Sequence, residues 1–275
     1  MSGDQEEQIG QPPVYLVIGA TGGVGTDLTA RLLKRGARLV LAGRNQETLS
    51  LAADAAGASY MLCDVTSLDQ IQQCVQDARK KFGRLDGVAN CAGSILLKPA
   101  HLTSEDEWSS MLAVNLTAAF ATVKFASRAM MGQGGSIVLV SSCAARVGLP
   151  NHETIAACKA GVEGLVRSTA ATYARHQIRV NCVAPGLLRT NMSRAITANE
   201  AQLQASIDMH PLGRIGTASD VAVVMDWLIG EESSWVTGQS IAVDGGLSSV
   251  RSMRAQRQSV SAGTAAGTLQ AGDRQ

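Results

Sequence analysis

The nine residues from 17 to 25 read VIGATGGVG, and they decide the fold of this chain. A short β-branched run at 14–18 leads into the first glycine, and a stretch with helical periodicity follows the last. Glycines at Gly19, Gly23 and Gly25 let the backbone turn sharply and approach a pyrophosphate without Cβ atoms in the way. The following helix N-terminus supplies amide donors, so the stretch predicts a dinucleotide-binding site.

On both sides of this stretch, short apolar runs alternate with longer segments whose apolar residues recur every three or four positions. The candidate strands are VYLVI from Val14, RLVLAG from Arg38, SYMLC from Ser59, GVAN from Gly87, SIVLV from Ser136, RVNCVAP from Arg179 and QSIAV from Gln239. Helical periodicity marks 27–35, 68–82, 105–131 and 156–175, and SEDE at 104–107 predicts a capping box. Strand–helix alternation predicts an α/β, doubly wound Rossmann-type fold: a single seven-stranded parallel sheet with helices on both faces.

The domain organisation follows from where the composition changes. Residues 13–250 show no break and are predicted to form one domain, with 187–218 inserted as a helical lid over the substrate. Residues 1–12 are acidic and polar, and 251–275 carry spaced arginines followed by small polar residues. Both ends contain too few large apolar groups to offset the entropy of ordering, so we expect flexible tails.

Bulk composition excludes several classes of function. The formal net charge is +1 and the cations are scattered, which argues against nucleic acid or an anionic membrane as a partner. No basic leader with an apolar core and no apolar run of spanning length is recognised, so we expect a soluble cytoplasmic protein, with an organelle left open. The six cysteines form no zinc-type cluster, which predicts reduced thiols and no metal site.

The end of the second strand bears on the choice of cofactor. Gly43 stands where an NAD enzyme would place a ribose-binding carboxylate, and Arg44 follows it. A guanidinium can stack on adenine and pair with a 2′-phosphate. The sequence therefore favours NADP over NAD.

The spacing Gly-x-x-x-Gly-x-Gly resembles that of the short-chain dehydrogenase/reductase family, and the resemblance spans about 14–246. The family's further motifs recur in order as CDV at 63–65, NCAG at 90–93, Asn115, Ser142, Lys159, APG at 184–186 and VTGQSIAVDGG at 236–246. The cofactor contacts that the resemblance implies are Gly19, Thr21, Gly23, Val24, Gly25, Arg44, Asp64, Val65, Asn90, Ala92, Gly93, Lys159, Pro185 and Gly186. It also implies a homodimer or homotetramer formed through the helices that carry Asn115 and Lys159 and through the last strand.

Enzymes of this family reduce a carbonyl with hydride from a nicotinamide while a tyrosine delivers the proton. The resemblance assigns the water-holding asparagine to Asn115, the carbonyl-orienting serine to Ser142 and the ribose-binding lysine to Lys159. The tyrosine position is Ile155, which can neither donate nor accept a proton. Ser142 and Lys159 keep the family's separation of seventeen positions, so no deletion has moved a tyrosine nearby.

Other groups near Ile155 could supply the proton. His152 lies three residues earlier and has a suitable ordinary pKa, although a polar helix cap is an alternative role. Cys143 and Cys158 flank the matched serine and lysine, with buried packing as their alternative role. Water held by the assigned side chains is a further source, and a positioned general acid is worth only about 10²- to 10⁴-fold.

Three functions follow from this pattern. The first is an NADP-dependent oxidoreductase that acts on a small carbonyl or alcohol with a proton relay lacking tyrosine. The second is a catalytically impaired NADP-binding protein acting as a sensor or assembly partner. The third is a step that needs no external acid, on an iminium or a conjugated ring. Lys98, Arg146 and Arg189 are predicted near the mouth of an aliphatic pocket, where they could meet an anionic group or serve as surface charge.

Overall fold

A computed structural model describes residues 10–251, and most of both predicted tails lies outside this range. The strands are β1 (Val14–Ile18), β2 (Arg38–Gly43), β3 (Ser59–Leu62), β4 (Gly87–Asn90), β5 (Gly135–Val140), β6 (Ile178–Pro185), β7 (Leu188–Arg189), β8 (Gly216–Thr217) and β9 (Ser240–Val243). The α-helices are α1 (Gly23–Lys34), α2 (Gln46–Ala56), α3 (Leu68–Phe82), α4 (Glu105–Leu112), α5 (Ala118–Met130), α6 (Glu153–Tyr173), α7 (Arg194–Thr197), α8 (Glu200–Met209) and α9 (Ala218–Ile229).

The main sheet contains seven strands in the order β3-β2-β1-β4-β5-β6-β9, and every neighbouring pair is parallel. This confirms the predicted doubly wound fold. The chain runs outward from β1 in one direction to β3 and then returns to build β4 on the other side. In such sheets ligands bind at the carboxyl ends of the strands where the order reverses, here between β1 and β4.

The sheet buries both faces because alternate residues of each strand point to opposite sides. Along β1, Leu16 and Ile18 pack with α3, α5 and α6, whereas Tyr15 and Val17 pack with α1, α2 and α9. All five β1 residues are buried. Each fully buried aliphatic side chain contributes about 1.5–3 kcal/mol relative to exposure, so this central strand fixes the position of the loop that follows it.

The helix predicted over 105–131 begins and ends close to the expected residues but is not continuous. The capping box at its start is confirmed, because the Ser104 side chain accepts from the Glu107 amide and the Glu107 carboxylate accepts from the Ser104 amide. A π-helical turn, Ala113–Thr117, interrupts the helix and separates α4 from α5. Such turns occur mostly as single insertions at functional sites, and this one carries Asn115.

The segment predicted as a lid, 187–218, contains α7 and α8. Two short strands that the sequence did not predict, β7 and β8, pair in parallel where the segment leaves and rejoins the domain. Each is only two residues long, too short to show a period. They tie the base of the lid together beside the end of β6.

One helical stretch among the described residues, Glu105–Met130, is long and apolar enough to cross a membrane by length and composition. The sequence alone had indicated no apolar run of spanning length. Half of the stretch is buried inside the domain, where it covers one face of the sheet. This burial is typical of a core helix.

Candidate active site

The glycine loop after β1 leaves no room for side chains at two positions. Gly19 has a φ of +77°, and a Cβ there would lie 2.7 Å from the Ala92 amide nitrogen. A Cβ on Gly25 would lie 2.3 Å from the Gly19 carbonyl oxygen. Backbone atoms cannot give way as a flexible side chain can, so only glycine fits at both positions. The loop and the turn after β4 thus form a cradle of bare backbone.

The N-terminus of α1 opens toward this cradle. Gly22 precedes the helix, and no side chain caps its first turn. Thr21 and Gly23 are exposed, and Val24 is half-buried. An uncapped helix N-terminus presents amide donors and the positive end of the helix dipole, which together suit a phosphate group.

The predicted adenine and ribose contacts lie beyond β2 and β3. Gly43 ends β2, and a Cβ there would lie 3.6 Å from the Thr21 hydroxyl oxygen, an ordinary contact. Arg44 is exposed beside it. Hydrogen bonds from the Thr66 amide and hydroxyl, with a smaller effect of the Arg44 charge, hold the pKa of Asp64 below its usual range. Val65 is buried next to that carboxylate.

The turn after β4 is held by Asn90. Its side-chain oxygen accepts from the Ala92 amide at 3.0 Å, and its amide nitrogen donates to the Thr122 hydroxyl at 2.9 Å. A Cβ on Gly93 would lie 3.2 Å from Asn115 Oδ1 and 3.7 Å from Lys159 Nζ. The turn therefore brings the predicted cofactor contacts against two of the predicted catalytic residues.

Asn115 is buried in the π-helical turn and is held by a residue that the sequence analysis missed. Its Oδ1 accepts from the Ser94 amide at 3.1 Å, while its Nδ2 donates to Ser94 Oγ at 3.0 Å and to the Met111 carbonyl at 3.1 Å. These bonds orient the side-chain amide. The available signal was the position of Ser94 directly after the NCAG motif.

Lys159 lies on α6 and is only 5 % exposed. Its ammonium group donates to the Val140 carbonyl at the end of β5 at 2.9 Å. Burial lowers the pKa of Lys159 from 10.5 to about 8, because the charged form loses its hydration. A cation with this pKa near neutral pH is a competent proton donor.

Ser142 follows β5 and lies two residues beyond the carbonyl that Lys159 contacts. It begins a short 3₁₀ turn, Cys143–Ala145, and its Oγ accepts from the Ala144 amide at 3.2 Å. The side chain is half-buried. Its hydroxyl hydrogen stays available to donate to a substrate oxygen.

A polar network fixes β5 to α6 behind this serine. Glu163 Oε1 accepts from Arg146 Nε at 2.9 Å and from Ser240 Oγ at 2.7 Å, and Ser141 Oγ lies 3.2 Å away. Ser141 Oγ also donates to the Lys159 carbonyl at 3.1 Å. The backbone that carries both predicted catalytic side chains is thereby fixed to the last strand.

Ile155, the residue predicted to replace the family's tyrosine, is 5 % exposed. It packs in a small apolar cluster with Met111, Ala144 and Cys158. Part-buried leucines, including Leu96, surround this cluster. These side chains form a hydrophobic wall around the residue that the sequence predicts in place of the proton donor.

His152 immediately precedes α6 and is the N-cap residue of that helix. The alternative capping role is wrong, since its side chain makes no cap hydrogen bond. Instead Nδ1 contacts the Pro150 carbonyl at 2.7 Å. A carbonyl only accepts, so Nδ1 carries the proton and Nε2 has none to give in the neutral ring.

Neither flanking cysteine is an acid of suitable strength. Burial raises the pKa of Cys143 to about 11. Burial also raises the pKa of Cys158, although the neighbouring Lys159 opposes that shift. Both behave as small core residues.

Two of the three cations predicted near the pocket mouth are already paired. Lys98 Nζ lies 2.8 Å from Glu107, and Arg146 Nε lies 2.9 Å from Glu163. Arg189 is exposed at the end of β7. The charges of Lys98 and Arg146 are therefore compensated within the domain, and the anion-binding role predicted for Arg189 stays a prediction.

Comparison with known proteins places this arrangement among oxidoreductases. Residues 19–248 match the family model described as enoyl-(acyl carrier protein) reductase. The 3-oxoacyl-(acyl-carrier-protein) reductase of Thermotoga maritima is 37 % identical over 243 residues, which cover 85 % of this chain and 97 % of that protein. A tropinone reductase homologue of Arabidopsis thaliana is 33 % identical over 84 % of this chain and 90 % of its own length.

Solved structures agree with the sequence matches. A short-chain type dehydrogenase/reductase from Mycobacterium ulcerans superposes with a TM-score of 0.84 at 31 % identity, covering 91 % of this chain and 95 % of that one. A variant of actinorhodin polyketide ketoreductase solved with NADPH superposes with a TM-score of 0.81 at 30 % identity, covering 87 % of this chain and 98 % of that one. The likeness extends over nearly the whole described domain.

Proposed function

Because this chain belongs to the short-chain dehydrogenase/reductase family of oxidoreductases, we propose that it uses NADPH to reduce an activated ketone. In this proposal Lys159, rather than a tyrosine, is the source of the proton. The observation that carries the proposal is the buried ammonium group of Lys159, whose pKa is lowered to about 8, next to Asn115 and the Gly93 turn.

The bare-backbone cradle fits a dinucleotide. Added Cβ atoms at Gly19 or Gly25 would collide with backbone, and the uncapped start of α1 faces the same space. NADPH, when bound, supplies the hydride. The Gly19 loop and α1 would hold the pyrophosphate, and the turn at Asn90 and Ala92 would line the cofactor. Pro185 and Gly186, at the end of β6, would contact its far side.

Arg44 is the group proposed to select NADP. Its exposed guanidinium follows Gly43, so no carboxylate stands there to bind a free ribose 2′-hydroxyl or to repel a phosphate. A charge-assisted hydrogen bond contributes about 1.5–3 kcal/mol, equivalent to roughly tenfold to a hundredfold in affinity. The relative solved with NADPH is consistent with this choice.

The combined Gly43→Asp and Arg44→Ala variant should reverse the cofactor preference. A Cβ atom at residue 43 has room, since its nearest neighbours would be 3.6 Å away. Titration of nicotinamide fluorescence should show tighter NADPH than NADH binding in the wild type, and a loss of NADPH affinity of about tenfold or more in the variant. Lys34→Ala, which removes an exposed cation on α1, should change neither affinity. Equal NADPH affinity in wild type and double variant would contradict the assignment.

Ser142, Lys159 and Asn115 have separate roles in the proposed reaction. Ser142 donates its hydroxyl hydrogen to the substrate carbonyl oxygen and so polarises the ketone. Lys159 releases a proton toward that oxygen through water, because its ammonium lies beside the turn at Gly93 rather than in the open cleft. Asn115, oriented by Ser94, holds that water. Positioning of reactants can supply about 7–11 kcal/mol, more than the roughly 3–5.5 kcal/mol contributed by a well-placed acid.

The proposed substrate class follows from the weakness of this acid. A ketone activated by an adjacent acyl thioester accepts hydride more readily than a simple ketone and tolerates delayed protonation. Four of the relatives are named 3-oxoacyl-(acyl-carrier-protein) reductases. Leu96, half-buried against the cluster that contains Ile155 and Met111, offers apolar contact to an acyl chain.

We also propose that the chain works as a homodimer or homotetramer. Trp108 on α4 and Phe120 on α5 are 41 % and 50 % exposed, and Trp235 beside the last strand is fully exposed. Strand β9 ends the sheet, so one of its edges is open. Sedimentation equilibrium should give the mass of two or four chains, whereas a single-chain mass at micromolar concentration would contradict this proposal.

A further inference from the structure

His210 directly follows α8, the last helix of the lid, and its residue is only 2 % exposed. Its Nδ1 lies 2.6 Å from the Ser206 carbonyl oxygen one turn earlier. Its Nε2 accepts from the Leu187 amide at 3.3 Å. The ring therefore joins the last helix of the lid to the first residue of the lid.

These two contacts specify one form of the ring. The Ser206 carbonyl can only accept, so Nδ1 carries a hydrogen. The Leu187 amide can only donate, so Nε2 must hold a free lone pair. Both bonds exist only in the neutral Nδ1–H tautomer. A second proton, on Nε2, would place an N–H donor against the N–H donor of Leu187 in a buried site.

The backbone next to the ring is shaped to receive it. A Cβ on Gly186 would lie 2.5 Å from His210 Nε2. The Gly186 amide donates to the Val243 carbonyl, and the Leu187 carbonyl accepts from the Gly216 amide. The residues that leave β6 are thus held by β9, by the return strand β8 and by the imidazole.

We propose that His210 is a positioning residue whose neutral ring fixes Gly186 and Leu187 at the end of β6, and whose protonation frees the start of the lid. This goes beyond the proposed reaction, because it concerns the chain without cofactor. Histidine is the side chain whose charge ordinarily changes between about pH 5 and 8.

The groups that face His210 act on its neutral and protonated forms in opposite directions. Asp244, at the end of β9, favours the protonated ring by its negative charge. Its carboxylate oxygens already accept from the Gly246 and Ser248 amides. Arg214 and Asp220 line the same cavity of about 350 Å³ and pair with each other at 2.8 Å. The Leu187 amide opposes Asp244 by requiring the neutral ring.

Two substitutions separate the contacts. In His210→Gln the terminal amide reaches the position of Nε2 and can accept from Leu187 without titrating. In His210→Asn the shorter amide reaches only the position of Nδ1, so the Ser206 contact is kept and the Leu187 contact is lost.

Hydrogen–deuterium exchange of the full chain without cofactor tests the proposal. After correction for intrinsic exchange, the wild-type peptide containing Leu187 should lose protection by about tenfold or more between pH 8 and pH 5. His210→Gln should stay protected at both values, and His210→Asn should be unprotected at both. Wild-type protection that does not change with pH, or full protection in a folded His210→Asn, would overturn the proposal.

Nitrogen NMR of the wild-type imidazole gives a readout that needs no variant to fold. The Nδ1–H tautomer is expected at pH 8, and the doubly protonated ring is expected where the exchange protection falls. An Nε2–H tautomer would overturn the proposal. Because neither experiment contains NADPH, a failure here is distinct from a failure of the proposed reaction.

Discussion

Replacing Ile155 with tyrosine is expected to raise the rate of ketone reduction by about 10²- to 10⁴-fold, the usual worth of a positioned general acid. The phenol would lie on α6 one turn before Lys159, whose ammonium group would lower the phenol pKa from its ordinary value near 10. NADPH affinity should stay the same, because Ile155 packs against Met111, Ala144 and Cys158 rather than against the glycine cradle. Steady-state kinetics with a 3-oxoacyl thioester measure the effect.

Ile155→Phe is the matched control, because it adds the ring without the hydroxyl. Both variants overfill a packed cluster, so each should lose about 1–3 kcal/mol of unfolding free energy. Only the tyrosine variant should gain rate. Equal rates in the two variants, with both folded and binding NADPH, would mean that the acid does not limit this chain.

Replacing Lys159 with methionine is expected to have the largest effect in the opposite direction. Methionine keeps the volume of the buried stem but removes the proton source and the donor to the Val140 carbonyl. We expect kcat to fall by about 10²- to 10⁴-fold. NADPH binding should weaken as well, since the resemblance gives this lysine a ribose contact. His152→Gln should retain wild-type kcat, because Nδ1 of that ring already donates to the Pro150 carbonyl.

The pH profile separates a lost acid from a damaged fold. In the wild type, kcat/KM for NADPH should fall as pH rises through about 8, because Lys159 loses its proton there. Burial has lowered the folded-state pKa below the ordinary value of 10.5, so the unfolded chain binds more protons between those values. The contribution of Lys159 to the free energy of unfolding therefore rises with pH over the range in which activity falls. Lys159→Met should lose both dependences and be no less stable at pH 7.

The seven-stranded sheet was predictable because each of its strands carries its own local signal. The β1 run is apolar throughout, and the glycines that follow it permit only a sharp turn, so strand, turn and helix were readable from 14 to 34 without tertiary information. The capping box at Ser104 was readable for the same reason: both of its hydrogen bonds join residues three positions apart.

Features that depend on distant partners were not predictable. The π-helical turn at Asn115 reflects side-chain bonds to Ser94, twenty-one positions away. The sequence predicted Lys98 and Arg146 as cations near the pocket mouth, because it does not show that they pair with Glu107 and Glu163. His210 lies in no motif, and its environment is set by Leu187 across the lid.

Hydride transfer with a lysine-derived proton can be followed in a single turnover. The purified full chain is loaded with one equivalent of NADPH, mixed rapidly with a 3-oxoacyl thioester, and followed by the loss of nicotinamide absorbance and by mass analysis of the product. We predict one equivalent of 3-hydroxyacyl thioester, formed at a rate that falls as the pH rises and Lys159 loses its proton. Tight NADPH binding without oxidation in the wild type, together with rapid oxidation in Ile155→Tyr under the same conditions, would contradict the account and indicate a cofactor-binding protein that has lost its reaction.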